Sequence, residues 1–329
     1  MSHDLHKRIF RNINQEEFQE TALEIFRFQA DRNQVYKNFI FYLGINPDSV
    51  RSVDKIPFLP IEFFRNHKVL TGTSSAETVF ESSGTTGAMT SSHYVTDLTV
   101  YEESFFTGFR YFYGDPGDYF FAGFLPSYLE RRNSSLVYMV DRLINTSSDC
   151  RSGFFTGDIG NLIDALQVVK NEKRKGILIG VSFALLDLAE KYSPDLSGII
   201  VVETGGMKGK RKELTRAELH SIFKKRFNIK SVHSEYGMTE LLSQAWSKGD
   251  GIFHSPPWMK ILIRDQGDPL SMHNTYRTTG GINIIDLANY NSCSFIATGD
   301  LGKLHEDGGF EVLGRFDSSD IRGCNLMVE

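Results

Sequence analysis

Short apolar runs alternate with longer amphipathic stretches through the middle of the chain. The runs are rich in β-branched and aromatic residues and predict buried strands, whereas the stretches between them have apolar residues at helical spacing and predict helices. This alternation is typical of βαβ units, which build a parallel sheet covered by helices. The predicted segments are residues 119–124, 135–144, 159–170, 176–180, 183–192, 198–203 and 208–227. The sequence therefore predicts an α/β fold.

The two ends of the chain differ from this middle region. Apolar residues at helical spacing over 16–43 predict amphipathic helices that end at Gly44 and Pro47, and the proline-containing segment 56–64 predicts an extended connector or a short helix start. Residues 261–264, 281–286 and 310–313 predict short strands of an antiparallel region. We expect one composite domain over 1–314, with a helical entry (1–70), an α/β region (71–250) and a β-rich region (251–314), followed by a tail over 315–329.

Composition argues against several classes of protein. The chain has 329 residues, 40% of them hydrophobic, which is ample for a buried core. Its net charge of −5 gives no field that recruits nucleic acid or an anionic membrane. No apolar run approaches the roughly 20 residues that span a bilayer, and the first residues lack the apolar core of a signal peptide. We therefore expect no nucleic-acid partner, no membrane span and a cytoplasmic location.

A loop dense in hydroxyls and glycines follows Glu81. Its residues are Ser82, Ser83, Gly84, Thr85, Thr86 and Gly87. Glycine permits backbone conformations in which consecutive N–H groups converge on an anion, and serine and threonine hydroxyls donate beside them. The segment favours a polyphosphate ligand such as a nucleotide, while such runs are also typical of solvated turns.

Three later segments carry further groups that a nucleotide requires. In 233–240 the Tyr236 ring can stack on a base, the Thr239 hydroxyl can bind a phosphate and the Glu240 carboxylate can hold Mg²⁺. Asp300, directly after a predicted strand, can accept ribose hydroxyls, and Arg315 can bind a phosphate or ribose oxygen. The alternatives are a turn with a buried tyrosine, an ordinary Asp turn and a surface salt bridge.

Taken in chain order, these segments resemble the core motifs of the acyl-adenylate-forming superfamily. Within it, the chain looks most like the acyl-protein synthetase family, the fatty-acid-activating component of the bacterial luciferase fatty-acid reductase, which is related to phenylacetate-CoA ligases. Further segments that fit this family lie at 57–60, 125–131, 134–137 and 322–326. The resemblance implies the large N-terminal-type α/β domain of the superfamily, with helices around mixed sheets and a small antiparallel β region, without the mobile C-terminal domain.

The resemblance implies a two-step ligase that uses ATP and Mg²⁺. A carboxylic acid, a fatty acid in this family, is activated to acyl-AMP and then transferred to a protein cysteine as a thioester. The residues that the resemblance assigns to the nucleotide and metal are Ser82, Ser83, Gly84, Thr85, Thr86, Gly87, Gly205, Gly206, Tyr236, Gly237, Thr239, Glu240, Asp300 and Arg315.

Each part of this set has its own implied role. The loop 82–87 would bind the β- and γ-phosphates, the glycines at 205 and 206 would line the adenine, and Tyr236 would stack on it beside Gly237. Thr239 would contact the α-phosphate and Glu240 would bind Mg²⁺, while the residues at 300 and 315 would hold the ribose. The resemblance requires that these groups converge on one nucleotide.

Cys324 is a candidate acyl acceptor, because the family transfers its acyl group to a cysteine near the carboxyl terminus. Arg322 lies two positions away and would favour the thiolate. A lone cysteine is by default a small buried hydrophobe, so both roles stay open for Cys324. Cys150 and Cys293 lack such a context and are interpreted as structural. The expected partners are the acid and an acyl-accepting or acyl-reducing protein.

The chain departs from the wider superfamily at two points. Ala88-Met89 follows Gly87 where a Pro-Lys pair is usual, and the lysine that the C-terminal domain supplies has no counterpart in this sequence. The basic residues over 208–212 are candidates for the missing cation, although a charge run that opens a helix is more often a solvated face.

Other functions remain open. An aryl- or acyl-CoA ligase differs only in its final acceptor, and a noncatalytic nucleotide-binding partner subunit would need no chemistry. A hydrolase is suggested by Gly180-Val181-Ser182, which approaches a nucleophile elbow but lacks its final glycine.

Overall fold

The computed structural model describes residues 2–11, 13–82, 90–126, 133–205, 214–273 and 275–316. The chain folds into two compact units. The first unit is formed by Met1–His6 and Ser74–Pro256, and the second by Lys7–Thr73 and Pro257–Glu329. The expectation of a single composite domain over 1–314 stays a prediction, although the unit boundaries lie close to the predicted segment limits.

The helices and strands of the described residues follow in chain order. The α-helices are α1 (Ser2–Ile9), α2 (Gln15–Arg32), α3 (Gln34–Tyr42), α4 (Phe63–Asn66), α5 (Leu98–Tyr113), α6 (Ser135–Thr146), α7 (Ile159–Asn171), α8 (Ser182–Lys191) and α9 (Arg216–Phe227). The strands are β1 (Leu59–Pro60), β2 (Thr78–Glu81), β3 (Ser92–Val95), β4 (Tyr119–Phe124), β5 (Gly153–Phe154), β6 (Lys175–Gly180), β7 (Ile199–Glu203), β8 (His233–Tyr236), β9 (Ala245–Ser247), β10 (Ile252–Phe253), β11 (Met259–Arg264), β12 (Gly280–Asp286), β13 (Phe295–Leu304) and β14 (Phe310–Arg315).

A mainly parallel sheet with the strand order β5-β4-β6-β7-β8-β9 is the centre of the first unit. The β4–β5, β4–β6, β6–β7 and β7–β8 pairs are parallel, and β9 is antiparallel to β8. Every residue of β4 is buried, as expected for a strand covered on both faces. Side-chain caps begin the crossover helices: Asp158 caps α7, and Thr215 forms a capping box with Glu218 at α9.

The hairpin β2–β3 also belongs to the first unit, and it carries the predicted phosphate loop. Its strands pair antiparallel from Thr78↔Val95 to Glu81↔Ser92. The predicted loop therefore belongs to the connection between the two residues of this last pair.

The second unit contains an antiparallel sheet in which β14, β13, β12 and β11 are neighbours, and β1 pairs parallel with β13. A glycine allows β13 and β14 to approach closely. A Cβ built on Gly302 of β13 would lie 2.5 Å from the carbonyl oxygen of Glu311 in β14. In the same unit the buried Gln29 of α2 holds the segment before β13, because its amide nitrogen donates to the carbonyl of Tyr290 and its amide oxygen accepts from the N–H of Ser294. The helical entry and the β-rich region thus fold together.

Most of the predicted elements are confirmed. Helices α2 and α3 cover the segment 16–43, and the predicted βαβ series corresponds to β4, α6, α7, β6, α8, β7 and α9. The segment 56–64 contains the short strand β1 and the start of α4, as its prolines indicated. No helix among the described residues is long and apolar enough to cross a membrane.

One prediction about a strand boundary is wrong. Asp300 was expected directly after a strand, but β13 continues from Phe295 to Leu304 and contains it. The strand persists through its glycines because it pairs with β12 on one side and β14 on the other.

Candidate functional site

The base of the predicted phosphate loop is closed by a reciprocal pair of hydrogen bonds. The N–H of Ser82 donates to the carbonyl of Ser91 at 3.0 Å, and the N–H of Ser91 donates to Oγ of Ser82 at 2.8 Å. Ser82 is thus part of the loop base. Ser83, Gly84, Thr85, Thr86 and Gly87 lie outside the described residues.

This loop base lies at the carboxyl edge of the parallel sheet. The N–H of Glu81 donates to the carbonyl of Asn133 at 2.8 Å, and Asn133 belongs to the connection that leaves the carboxyl end of β4. Ligands of open α/β sheets bind outside the carboxyl ends of the strands. The loop is therefore anchored where such a fold binds small molecules.

The segment of Tyr236, Gly237, Thr239 and Glu240 is held against the same hairpin. Nδ1 of His93, a buried residue of β3, lies 2.8 Å from the carbonyl oxygen of Thr239. A carbonyl only accepts, so this ring nitrogen carries the proton. The structure therefore brings the loop base and the predicted α-phosphate residue together in the first unit.

Tyr236 ends β8 and is buried, with its ring centroid 5.8 Å from that of Phe253. Gly237 follows, and a Cβ there would lie 2.3 Å from Oε1 of Glu235, so the position favours glycine while that side chain stays in place. Glu240 is 5% exposed. Stacking of the tyrosine on adenine remains a prediction.

Thr204 and Gly205 follow β7 at the same edge. Gly205 has φ +74°, a conformation that glycine adopts without strain, and a Cβ there would meet open space. Its N–H donates to Oε2 of Glu203 at 2.8 Å and its carbonyl accepts from the N–H of Ser182 at 3.2 Å. The glycine is therefore fixed at both ends, and no described residue lies within 4 Å of a Cβ built on it. Gly206 and the basic residues over 208–212 lie outside the described residues.

A buried ionic cluster lies behind this turn, on the face of the sheet that α8 and α9 cover. Glu203 is 3% exposed, accepts from Oγ of Ser182 at 2.9 Å, and has Nε of Arg216 and Nε2 of His220 within 3.4 and 3.5 Å of Oε1. Burial alone would raise the pKa of Glu203, but the hydrogen bond with His220 and the nearby charges outweigh it and lower the pKa to about 2. The carboxylate is thus fixed in its ionised form.

This cluster does not have the arrangement of a hydrolase elbow. The hydroxyl of Ser182 donates to a carboxylate, whereas a nucleophilic serine donates to a histidine base that a carboxylate then orients. In this cluster the carboxylate lies between the serine and the histidine, which favours a structural role for Ser182.

Sequence reasoning passed over the second carboxylate of this edge, Glu235. It lies in β8 next to Tyr236 and is half-buried. Burial, and to a lesser degree the charge on Glu203, raises the pKa of Glu235 to about 8. Burial therefore favours the protonated form of Glu235, whereas the partners of Glu203 favour its ionised form. The signal for Glu235 was its place inside the motif 233–240, where an acidic residue enters a buried strand.

The second unit contains Asp300 and Arg315, which are paired across β13 and β14. Nε of Arg315 donates to Oδ1 of Asp300 at 3.2 Å, and the arginine side chain is 82% exposed while that of the aspartate is 10% exposed. This exposed ion pair adds little stability, so the arginine remains available to a ligand.

The backbone around Asp300 is braced by Arg264, which the sequence did not single out. The buried guanidinium donates to the carbonyls of Ile282 and Thr298 at 2.8 and 2.6 Å. Oγ1 of Thr298 in turn accepts from the N–H of Asp300 at 3.1 Å. The carboxylate is therefore mounted on a rigid strand.

The cysteines differ in their surroundings. Cys293 is fully buried, and burial raises the pKa of its thiol to about 12, which fits the structural interpretation. Cys150 is exposed, and its structural interpretation stays a prediction. Cys324 lies outside the described residues.

The residues present fit the predicted nucleotide and metal in part. The hydroxyl oxygen of Thr204 is buried and has no hydrogen-bond partner among the described residues, and such an orphaned group suits a polar ligand. The described residues contain no group of three side chains able to hold a metal ion on their own. A single carboxylate such as Glu240 suits Mg²⁺ that is held mainly by substrate phosphates.

Comparison with known proteins shows the fold. No family model matches the chain, and no curated protein matches it. ATP-bound MatB from Rhodopseudomonas palustris is similar in structure with a TM-score of 0.53 and 18% identity, over 72% of this chain and 47% of that chain. A double mutant of o-succinylbenzoate CoA synthetase (MenE) from Bacillus subtilis, bound to a product analogue, has a TM-score of 0.51 and 18% identity, over 74% of this chain and 49% of that chain.

The chain thus spans about half the length of the structures that it matches. The α/β fold expected from the resemblance, that of the large N-terminal domain of adenylate-forming enzymes, is confirmed.

Proposed function

We propose that this chain activates a carboxylic acid with ATP. The observation that carries the proposal is the hydrogen bond between His93 and the carbonyl of Thr239, because it joins the base of the phosphate loop to the segment predicted to contact the α-phosphate. The description of two matched structures as ATP-bound supports the same conclusion.

In the first step a carboxylate oxygen of the acid attacks the α-phosphorus of ATP. The new P–O bond forms as the bond to the β-phosphate oxygen breaks, so acyl-AMP and pyrophosphate result. Such displacements need positioning and neutralisation of charge more than covalent help from the protein. The loop 82–87 and Thr239 would position the phosphates, and Asp300 with Arg315 would hold the ribose.

Magnesium would be held by Glu240 together with the phosphates. When bound, the metal neutralises phosphate charge in the transition state. The burial of Glu240 favours a carboxylate that serves a ligand or a buried partner rather than the solvent.

In the second step a thiolate attacks the acyl carbon and the bond to AMP breaks, which leaves a thioester and AMP. We propose a protein cysteine as the acceptor and a fatty acid as the substrate, with Cys324 as the acceptor in this chain. These finer assignments rest on the family resemblance. A CoA ligase is the alternative and differs in the thiol that accepts the acyl group.

Acyl transfer is tested by incubating the protein with ATP, Mg²⁺ and radiolabelled acetate, octanoate or tetradecanoate, each with and without CoA. We expect octanoate or tetradecanoate to label the polypeptide in a form that hydroxylamine releases. Cys324→Ser should abolish the label, and Cys150→Ser is the matched control. Undiminished label in C324S would exclude Cys324, and acyl-CoA formation without labelled protein would favour the CoA ligase.

A further inference from the structure

The last two turns of α5 expose aromatic side chains in the first unit. The helix packs its other side into the unit, where the ring centroid of Phe109 lies 5.6 Å from that of Phe121 in β4. On the outer side Tyr111 is 60% exposed, and Phe106 and Phe112 are half-buried. The rings of Tyr111 and Phe112 lie 5.0 Å apart at 89°. A group of exposed aromatic side chains in contact is typical of a surface that binds another molecule.

Two cations lie over aromatic rings on this part of the helix. Cζ of Arg110 is 5.7 Å from the ring centroid of Phe106, and Nζ of Lys248, which follows β9, is 5.6 Å from that of Tyr113. Positions 106, 110 and 113 are spaced as i, i+4 and i+7, so they share one side of α5. The rings hold both positive charges at the surface.

These two cations differ from the acidic groups around them. Neither Arg110 nor Lys248 forms an ion pair with another described residue, although both side chains are exposed. The nearby carboxylates are already engaged: Glu102 with Arg142 at 2.9 Å, Glu103 with His6 at 2.5 Å, Asp115 with the N–H of Gly117 at 2.8 Å and Asp118 with Lys175 at 3.1 Å. The end of α5 therefore presents positive charge that the unit itself does not neutralise.

The combination of charge and aromatic area fits an acidic protein segment. Carboxylates pair with arginine in a bidentate geometry, and apolar side chains of the same segment can pack on Tyr111 and Phe112. Tyrosine, phenylalanine and arginine are the residues enriched in the cores of protein interfaces. Nucleic acid fits less well, because the chain has a net charge of −5.

We propose that Phe106, Arg110, Tyr111, Tyr113 and Lys248, the α5 surface, bind an acidic segment of a partner protein. Arg110 lies twelve residues after Leu98, the first residue of α5, which is about 18 Å along the helix axis. The hairpin β2–β3 ends just before α5 begins, so the α5 surface is remote from the base of the predicted phosphate loop. This inference goes beyond the proposed function and does not depend on it.

The test measures binding of the full chain to a fluorescein-labelled peptide in which glutamates alternate with leucines, by fluorescence anisotropy at low ionic strength. We expect saturable binding to the wild type, an about tenfold loss in Arg110→Glu and an about fivefold loss in Tyr111→Ser. Lys248→Glu is a second charge reversal, outside the helix, and should weaken binding to a similar degree as R110E. The peptide should also protect the backbone amides of 106–113 from hydrogen exchange.

Two control variants are matched to these changes. Arg226→Glu makes the same charge reversal at an exposed arginine in the last turn of another helix, α9, where the cost against the helix dipole is the same. Tyr192→Ser removes a tyrosine that is 53% exposed at the end of α8. Both controls should change the Kd less than twofold.

Several results would overturn the proposal. Equal losses in R110E and R226E would show general attraction between charges, and so would equal binding of a peptide that has lysine in place of glutamate. Displacement of the peptide by an equal concentration of oligothymidylate would indicate a polyanion site instead of a protein site. The absence of saturable binding to the wild type, or of protection at 106–113, would also contradict the assignment.

Discussion

Nδ1 of His93 donates to the carbonyl oxygen of Thr239 across 146 residues of sequence, at a distance of 2.8 Å. The histidine belongs to the hairpin whose turn is the predicted phosphate loop, and the threonine belongs to the segment predicted to contact the α-phosphate. One hydrogen bond thus fixes the relation between two parts of the candidate site. Since His93 is buried, the bond is protected from competing water.

We expect His93→Ala to lower acid-dependent pyrophosphate release about tenfold, since it removes this bond and leaves the part-buried carbonyl of Thr239 without this donor. His93→Asn should recover most of the activity, because the amide nitrogen of asparagine takes nearly the position of Nδ1. Initial rates at saturating ATP measure the effect. Equal rates in H93A and wild type would show that the bond has no part in positioning the site.

The Glu203 cluster should stabilise the protein in a pH-dependent way. The pKa of Glu203 is lowered from 4.5 to about 2 in the folded protein, so its stabilisation is complete above about pH 5 and is lost as the pH falls toward 2. Glu203→Gln should therefore reduce the free energy of unfolding by roughly 2–4 kcal/mol at pH 7 and by much less at pH 3. Urea unfolding at both pH values tests this.

Glu172→Gln is the control for that series, because Glu172 forms an exposed ion pair with Arg151. This variant should change the stability little at either pH. If E203Q and wild type differed by the same amount at pH 7 and pH 3, the ionised cluster would not be the source of the stability.

We expect the hydrogen bonds of Arg264 to stabilise β13, the strand that contains Asp300. Arg264→Met removes the donor that the structure gives the carbonyl of Thr298 and one of the two donors to the carbonyl of Ile282, so it should reduce stability by about 3 kcal/mol. Arg65→Met, at an exposed position in α4, should stay within about 0.5 kcal/mol of wild type. Denaturant titrations of both variants measure this. A loss in R264M no greater than that in R65M would contradict the bracing role.

The two described cysteines should differ in reactivity. In a Cys324→Ser background, exposed Cys150 should react rapidly with a thiol reagent, while Cys293 should react only after unfolding because its pKa is raised to about 12 and its sulfur is buried. Titration with a chromogenic disulfide in native buffer and in urea distinguishes them. Comparable native rates for both thiols would contradict the burial of Cys293.

The elements of the fold were largely predictable because they depend on local sequence. The buried strands β4, β6 and β7 are runs of aromatic and β-branched residues, and α7 and α9 begin at Asp158 and Thr215, which are good capping residues. The extent of β13 was not predictable, because Gly299 and Gly302 indicated a turn and pairing with strands on both sides overrides that signal.

The candidate site was predictable only in part, for a similar reason. Motifs indicated Thr239, Glu240 and Asp300, whose residue types suggest nucleotide chemistry on their own. Glu235 was missed because its burial depends on the packing of β8, which the sequence does not display.

The exchange of radiolabelled pyrophosphate into ATP tests the central claim most directly, since it reports reversible formation of an acyl-adenylate without requiring an acceptor thiol. We predict exchange that depends on Mg²⁺ and on a carboxylic acid, with octanoate or tetradecanoate more effective than acetate, and that falls about tenfold or more in Thr239→Val. Exchange that is absent with every acid, in a protein that binds ATP, would contradict the account.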